Sequence, residues 1–162
     1  MRLRLRASTA EDLRAIGAAI APLLVAGDAI ALGGDLGAGK TTLAQGLARG
    51  LGIAGPVTSP TFTLVREYPH GRLPLLHADV YRLDRVQDVL DLALEEDAEG
   101  GVLVVEWGDV IEALLPQEHL VIELTVAEPG DDREVFLRAD GDTWTLRAAG
   151  LERALGAWLV AA

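Results

Sequence analysis

The sequence contains no cysteine and no asparagine, and it has a single lysine, Lys40, among its 162 residues. The absence of cysteine excludes disulfides, thiolate metal ligands and cysteine nucleophiles, and it is typical of a reducing compartment. Thirteen arginines carry the remaining positive charge. A chemical reason is therefore to be sought for the one position that holds a lysine.

Long uncharged apolar runs are also missing. The longest lies between Arg14 and Asp28 and contains Gly17 and Pro22, and it is shorter than the ~18–20 residues that a membrane span requires. Several arginines come before Glu11 at the N-terminus, where a signal peptide would need an apolar core. We therefore expect a cytoplasmic protein.

Acidic residues dominate the charge. Twenty-five Asp and Glu against 14 Lys and Arg give a formal net charge of −11, and such a surface repels nucleic acid over most of its area. Half of the residues are hydrophobic and 24% are charged, which is typical of a folded globular chain. The length fits one domain over residues 1–162.

The first two thirds of the chain alternate between strand and helix patterns. Apolar runs predict buried strands at Asp28–Leu32, Leu73–Asp79 and Val102–Val105. Apolar residues at helical spacing predict helices between these strands. A shorter strand is predicted at Arg2–Arg6, followed by a helix that begins at a capping box of Ser8 and Glu11 and ends at Gly27.

In the last third of the chain, apolar residues alternate with the residues between them. This pattern predicts antiparallel strands at Leu120–Val126 and Val135–Ala139, and Asp140-Gly141 is typical of a hairpin turn leading to a further strand with Trp144. A helix is predicted at Leu151–Leu159. The expected fold is therefore α/β and three-layered, with a mainly parallel sheet and antiparallel strands added at the C-terminal end.

A phosphate-binding motif lies between a predicted strand and a predicted helix. Residues 34–41, Gly-Asp-Leu-Gly-Ala-Gly-Lys-Thr, match G-x-x-x-x-G-K-[ST]. Glycines allow backbone N–H groups to approach phosphate oxygens, and the helix that follows presents its positive end to the same anion. Lys40 would reach the β- and γ-phosphates, and the Thr41 hydroxyl would hold Mg²⁺. The only lysine of the chain stands at the one position where this motif demands a lysine.

Two acids close predicted strands. Glu106 follows Val102–Val105, and Asp79 ends the strand before it. Ligands collect at that end of an open parallel sheet, so both acids are candidates for Mg²⁺ and for the attacking water. Asp79 has a second interpretation as the cap of a following helix. His77, inside an apolar strand, is interpreted as a core histidine, with catalysis as the alternative.

Three functions remain open at this point. The Asn-Lys-x-Asp motif of guanine-reading proteins is absent, so ATP is favoured over GTP. The first hypothesis is that the chain is an ATPase. A small-molecule kinase is another, although Arg82 and Arg85 are not accompanied by an insertion of lid length. The third is a nucleotide-sensing module without turnover.

Four motifs together carry a family resemblance. In chain order they are Gly-Asp-Leu-Gly-Ala-Gly-Lys-Thr-Thr at 34–42, Thr-Ser-Pro-Thr-Phe at 58–62, His77-x-Asp79-x-Tyr81-Arg82, and Glu106-Trp107. In this order and over nearly the whole chain, they resemble the TsaE (YjeE) family of P-loop NTPases. Members of that family are bacterial ATPases that serve the synthesis of threonylcarbamoyladenosine in tRNA.

The resemblance implies more than the spacings show. It implies ATP and Mg²⁺ as cofactors, TsaB and TsaD as partners, and ATP hydrolysis that resets the TsaB–TsaD complex, which modifies adenosine 37 of tRNA. The tRNA itself would then be contacted mainly through these partners. The residues that it implies for phosphate binding are Gly37, Ala38, Gly39, Lys40, Thr41 and Thr42.

The same resemblance assigns further roles. Thr41 and Glu106 would serve Mg²⁺, and Asp79 would assist catalysis together with Lys40 and Glu106. Ser59–Thr61 would form a mobile switch near the γ-phosphate, and Trp107 would lie near the nucleotide. The chain departs from the family at Leu13, near the base, where members often have Thr, so no residue is assigned to reading the base.

Replacing the lysine tests the phosphate site directly. We expect Lys40→Ala to raise the Kd for ATP at least about tenfold, because charge-assisted hydrogen bonds to the phosphates are lost. Isothermal titration calorimetry on the folded variant measures this change. An unchanged affinity would contradict the site assignment.

Overall fold

The computed structural model describes residues 1–60, 64–80, 94–106, 112, 115–128 and 130–161, with the backbone alone at 95 and 97. Its strands are β1 Arg2–Ala7, β2 Ala29–Gly34, β3 Val65–Tyr68, β4 Leu75–Asp79, β5 Val102–Glu106, β6 Leu120–Val126 and β7 Arg133–Ala139. The helices within these ranges are α1 Ala10–Ile20, α2 Lys40–Gly50, the single turn α3 Leu94–Asp97, and α4 Asp142–Ala154. Short 3₁₀ turns occupy Ala21–Leu23 and Gly156–Trp158.

All seven strands form one sheet, in the order β1-β7-β6-β2-β5-β4-β3. The four central strands β6, β2, β5 and β4 are parallel to one another. On one side β7 and β1 are added antiparallel, and on the other side β3 pairs antiparallel with β4. The predicted α/β class, with a parallel centre and late antiparallel strands, is confirmed. The edge strand β3 was not predicted.

Side chains leave the central strands on both faces, and each face is covered. Alternate residues of β2 and β5, such as Ile30 and Val104, pack into a core with the helices α1, α2 and α4. Ala29 and Leu103 belong to a smaller core on the opposite face, which includes Leu94 of α3. Because both faces are buried, these strands read as continuous apolar runs rather than alternating ones. The sheet with its two covering layers gives the three-layered architecture.

Helices α1 and α2 approach each other closely at glycines. A Cβ atom at Gly17 would lie 2.5 Å from the carbonyl oxygen of Leu43, and one at Gly46 would lie 2.1 Å from that of Arg14. These distances leave no room for a side chain, so α1 packs its backbone directly against the helix that follows the glycine-rich loop. Within the described residues, no helix combines the length and the apolar character that crossing a membrane requires.

The start and end of α1 correct two predictions. The capping box is formed one residue later than predicted, by Thr9 and Asp12: the Thr9 hydroxyl accepts from the Asp12 N–H at 3.0 Å, and the Asp12 carboxylate accepts from the Thr9 N–H at 2.9 Å. The helix ends at Ile20 rather than at Gly27. Pro22 lies in the 3₁₀ turn that follows, and proline cannot supply the N–H that another α-helical turn would need.

The predicted hairpin at Asp140-Gly141 is wrong. Gly141, with φ +110°, is the N-cap of α4, and the Glu118 carboxylate accepts hydrogen bonds from the N–H groups of Asp142 and Thr143. A negative charge there stabilises the start of a helix. Trp144 and Leu151, seven residues apart, are buried on one helical face, so the Trp144 region follows a helical period that the turn signal had obscured.

A partly buried ion pair joins the residue before β2 to α4. Arg147 on α4 donates to both carboxylate oxygens of Asp28, at 2.5 and 3.0 Å. Its guanidinium also stacks over the Trp144 ring at 3.9 Å. Asp28 lies directly before β2, so this bidentate pair attaches α4 to the strand that leads into the glycine-rich loop.

Breaking this pair should destabilise the whole fold. We expect Arg147→Ala to lower the free energy of unfolding by about 3 kcal/mol, because it leaves the buried Asp28 carboxylate without an opposite charge, bonded only to the Val25 N–H. Urea denaturation measures the change. Arg153→Ala, an exposed arginine on the same helix, is the control and should change stability by less than about 0.5 kcal/mol. Equal effects of the two variants would contradict the assignment.

Candidate phosphate-binding site

The loop between β2 and α2 is held in a conformation that glycine makes possible. Gly34, Gly37 and Gly39 have φ values of +129°, +80° and +111°, which residues other than glycine rarely adopt. Gly34 is also crowded, because a Cβ there would lie 2.4 Å from the carbonyl oxygen of Leu124 on β6. The strand–loop–helix unit predicted from the motif is confirmed.

Lys40 is the first residue of α2 and reaches back across the loop. Its Nζ donates to the carbonyl oxygens of Gly34 at 2.7 Å and Asp35 at 2.9 Å. Lys40 is buried, with 5% of its surface exposed. The ammonium group is therefore held inside the curve of the loop, where it can meet an anion as a localised positive charge.

The N-terminus of α2 adds backbone donors at the same place. Gly39 caps the helix, and its carbonyl accepts from the N–H of Leu43 at 2.9 Å. The N–H groups of a first helical turn have no intrahelical acceptor, and the helix dipole places partial positive charge there. No acidic residue occupies the first turn of α2. The loop and the helix thus form a concentration of positive potential suited to phosphate.

Thr41 and Glu106 meet although 65 positions separate them. The Thr41 Oγ1 donates to Glu106 Oε1 at 2.8 Å. The parallel pairing of β2 with β5, which sets Leu32 beside Glu106, brings the carboxylate to the start of α2. Because the hydroxyl donates its hydrogen bond to Glu106, the lone pairs of its oxygen stay available for a metal ion.

His77 touches the same oxygen. Its ring is fully buried on β4, and Nε2 lies 3.0 Å from Glu106 Oε1. An ionised carboxylate only accepts hydrogen bonds, so Nε2 carries the proton in this contact. Nδ1 of the same ring has no hydrogen-bond partner within the described residues. The interpretation of His77 as a core histidine is right about burial but incomplete, because the ring also orients the Glu106 carboxylate.

Glu106 is held in its ionised form. Burial raises the pKa of this carboxyl, but the hydrogen bond and the charge of His77, the hydrogen bond from Thr41 and the charge of Lys40 lower it by more. The net result is a pKa below the ordinary value of 4.5. At neutral pH the group is therefore a carboxylate, which is the form that binds a hard cation.

Asp79 lies beside Glu106 at the ends of two paired strands. The register of β4 with β5 places these two residues opposite each other, and both are buried. The N–H of Asp79 donates to the carbonyl of Leu64 at 2.8 Å, and the N–H of Leu64 donates to the carbonyl of Pro60 at 2.6 Å. This chain of backbone bonds links the Ser59-Pro60 loop to the acidic edge of the sheet.

Arg133 contacts the loop through two of its carbonyl groups. It is the first residue of β7, and its Nε donates to the Ala38 carbonyl at 3.0 Å, with a longer bond of 3.5 Å from Nη2 to the Gly37 carbonyl. Sequence reasoning did not single out Arg133. The contact spans 95 positions, and only the tertiary arrangement of β7 beside the loop reveals it.

The donor set matches the chemistry of a Mg²⁺–nucleotide complex. Mg²⁺ is usually held by one or two oxygen side chains together with phosphate oxygens and waters, and Thr41 and Glu106 supply a hydroxyl and a carboxylate. Within the described ranges no group of three or more His, Cys, Asp and Glu side chains is arranged to hold a metal ion. The hydroxyl of Thr41 and the carboxylate of Glu106, which lie 2.8 Å apart, therefore fit a Mg²⁺ ion that also binds phosphate oxygens.

Most of the predicted site residues lie around one edge of the sheet. Gly37, Ala38 and Gly39 lie in the loop from β2 to α2, and Asp79 and Glu106 end neighbouring strands. The first residues of α2 are Lys40, Thr41 and Thr42. Trp107 lies outside the described residues, as do Thr61, Tyr81, Arg82 and Arg85. The roles proposed for them stay predictions.

Comparison with known proteins gives one consistent result. Residues 7–135 match the family described as "Threonylcarbamoyl adenosine biosynthesis protein TsaE". A protein of Bacillus subtilis (strain 168) named "tRNA threonylcarbamoyladenosine biosynthesis protein TsaE" is 44% identical over 153 residues, which cover 93% of this chain and 94% of the relative. A protein of Treponema pallidum (strain Nichols) with the same name is 43% identical over 134 residues, covering 82% of this chain and 98% of the relative.

A solved structure agrees with these matches. The crystal structure of YdiB from Bacillus subtilis superposes with a TM-score of 0.82 and 41% identity, covering 94% of this chain and 95% of that chain. The expected P-loop NTPase-type fold is confirmed by this likeness.

The ionised state of Glu106 predicts how replacing this residue changes the pH dependence of the free energy of unfolding. Since folding lowers the pKa of Glu106 below 4.5, its charge stabilises the fold above that pH, and the contribution is lost as the pH falls through the lowered pKa. We expect the stability difference between the wild type and Glu106→Gln to be constant near neutral pH and to decrease below about pH 4.5. Denaturation without nucleotide or Mg²⁺ measures it. The matched control is Glu152→Gln, an exposed residue of α4; a difference independent of pH at position 106 would refute the prediction.

Proposed function

The chain belongs to the TsaE family, which takes part in the biosynthesis of threonylcarbamoyladenosine in tRNA, and we propose that residues 1–162 form one domain that binds and hydrolyses ATP with Mg²⁺. The observation that carries the proposal is the hydrogen bond from Thr41 to Glu106 directly beside the Lys40 loop. A hydroxyl and an ionised carboxylate next to a phosphate-binding loop are the pair that P-loop NTPases use.

The phosphate-binding part of the proposal rests on the loop and on α2. Lys40 would neutralise charge on the β- and γ-phosphates, and the backbone from Gly37 to Thr42 would supply N–H donors. Lys40 and these N–H groups create a positive electrostatic potential at the N-terminus of α2, whose first turn contains no acidic residue. This arrangement supports the binding of a nucleoside triphosphate and also explains why the single lysine of the chain stands at position 40.

The metal-binding part rests on the pair formed by Thr41 and Glu106. Mg²⁺, when bound, neutralises charge that develops on the phosphate oxygens. Thr41 would contribute its lone pairs, and Glu106 would hold the Thr41 hydroxyl and the metal's waters in place. His77 keeps the Glu106 carboxylate oriented through its bond to Oε1.

Asp79 is proposed to position the attacking water. It lies opposite Glu106 at the end of β4, at the sheet edge where the γ-phosphate would lie. The Ser59-Pro60 loop is linked to Asp79 through Leu64. A movement of that loop, which we propose as a switch near the γ-phosphate, would therefore be transmitted to Asp79.

Partner proteins are proposed to complete the site. Arg133 donates to the carbonyls of Gly37 and Ala38, so its guanidinium is bonded to the backbone of the loop. We therefore do not assign it as the arginine that contacts the transferred phosphate. We propose that a partner supplies the arginine finger, which is worth ~10³–10⁵ in rate, and we therefore expect slow turnover by the chain alone. We propose that TsaB and TsaD stimulate it and that ATP hydrolysis resets their complex. The net charge of −11 favours contact with tRNA through these partners.

Turnover measurements test the proposal. We expect Mg²⁺-dependent ATP hydrolysis that rises at least about tenfold when purified TsaB and TsaD from the same organism are added. Glu106→Ala should lower the stimulated kcat at least about a hundredfold while changing the Kd for ATP much less, because the carboxylate acts on the metal and the water. Asp79→Ala should also lower kcat more than it changes Kd.

The controls separate the competing functions. Glu152→Ala removes an exposed carboxylate far from the loop in sequence and should leave turnover unchanged. Turnover that ignores TsaB and TsaD but depends on a small-molecule acceptor would instead support a kinase. Normal cellular function of Glu106→Ala would support a nucleotide-sensing module without hydrolysis.

A further inference from the structure

The strand β7 contributes one side chain to the phosphate-binding loop. Arg133 donates from Nε to the carbonyl of Ala38 at 3.0 Å and from Nη2 to that of Gly37 at 3.5 Å, and its Nη1 donates to the carbonyl of Asp131. The guanidinium therefore joins the β6–β7 turn to the two residues before the N-cap of α2. The bond to Ala38 is half-buried, which reduces competition by water for it, whereas the bonds to Gly37 and Asp131 are exposed.

The direction of these bonds determines where the loop's N–H groups point. In a trans peptide the C=O and the following N–H point to opposite sides. Because Arg133 holds the Ala38 carbonyl, the N–H of Gly39 points away from the guanidinium. The Ala38 N–H, which follows the Gly37 carbonyl, donates to Asp35 at 3.0 Å and closes the turn. One guanidinium thus orients the two peptide groups that lead into the helix.

The loop needs such a constraint because it is made of flexible residues. Gly37 has φ +80°, and a Cβ there would meet nothing within 4 Å, so neighbouring atoms do not confine it on that side. Glycine loses more conformational freedom on ordering than any other residue. A loop that is already ordered before the nucleotide binds avoids that cost at binding. Lys40 confines the loop through Gly34 and Asp35, and Arg133 confines it through Gly37 and Ala38.

We propose that Arg133 is a positioning residue for nucleotide binding, which orders the phosphate-binding loop through the carbonyls of Gly37 and Ala38. This inference rests on the proposed function, because it assigns a nucleotide to the loop. It adds that the antiparallel flank of the sheet, and not only the loop itself, determines the affinity for phosphate. Arginine is suited to this role because the nitrogens of its planar guanidinium are fixed relative to one another, so that Nε and Nη2 each meet a separate carbonyl.

Nucleotide affinity tests the proposal, with a control on the same turn. We expect Arg133→Gln to raise the Kd for MgADP about tenfold, as loss of a charge-assisted hydrogen bond would. Arg133→Lys should show an intermediate Kd, because it keeps the charge but not the fork. Arg6→Gln is the control, because Arg6 bonds the Asp132 carboxylate of the same turn at 2.6 Å and its loss removes the same charge. It should leave the Kd unchanged.

A local measurement distinguishes ordering of the loop from general stability. Hydrogen exchange should speed up in Arg133→Gln for peptides that cover residues 34–42, and not for peptides of β1 or α4. If Arg133→Gln does not fold, Arg133→Lys and the same exchange measurement decide the question.

The possible failures are distinguishable. Wild-type affinity in both Arg133 variants, with binding still weakened by Lys40→Ala, would overturn this inference and leave the proposed function in place. An equal loss in Arg6→Gln would also overturn it, since charge alone would then explain the effect. A wild-type chain that binds no MgADP or MgATP would overturn the proposed function and this inference together.

Discussion

Parallel pairing of β2 with β5 and of β5 with β4 is the constraint on which the site depends. It places the ends of three strands at one edge of the sheet, so that Glu106 lies within 2.8 Å of Thr41 and opposite Asp79. Side chains from three distant parts of the chain are thereby held without any direct covalent link. The buried apolar faces of these strands supply the stability that holds the charged groups together.

Charged and polar groups at this edge stabilise one another. A buried carboxylate is costly unless hydrogen bonds and opposite charge surround it, and Glu106 receives bonds from Thr41 and His77 near the ammonium of Lys40. The same contacts that make burial tolerable also keep the carboxylate ionised and oriented. The stability of the buried carboxylate and its ionised, oriented state therefore have one physical origin here.

Elements remote from the loop contribute to its shape. The Asp28–Arg147 pair fastens the start of β2 to α4, the tight glycine contacts seat α2 on α1, and Arg133 reaches the loop from β7. The antiparallel strands at the C-terminal end thus have a role beyond extending the sheet. They bring a guanidinium to the carbonyl groups of Gly37 and Ala38.

The sequence by itself determined the α/β class, the central strands, the loop and the identity of its lysine, because each depends on local patterns. Buried parallel strands require continuous apolar runs, and a phosphate loop requires glycines beside Lys40 and Thr41. The positions of Asp79 and Glu106 at the ends of β4 and β5 were also predictable, since each ends such a run.

Only the tertiary structure decided the remainder. A turn signal at Asp140-Gly141 did not reveal α4, because the start of that helix is stabilised by Glu118, more than twenty positions away. The bond of His77 to Glu106 and the contact of Arg133 with Ala38 span 29 and 95 positions. Local propensity cannot encode such contacts, because they arise from strand order and register, which the whole hydrophobic core selects.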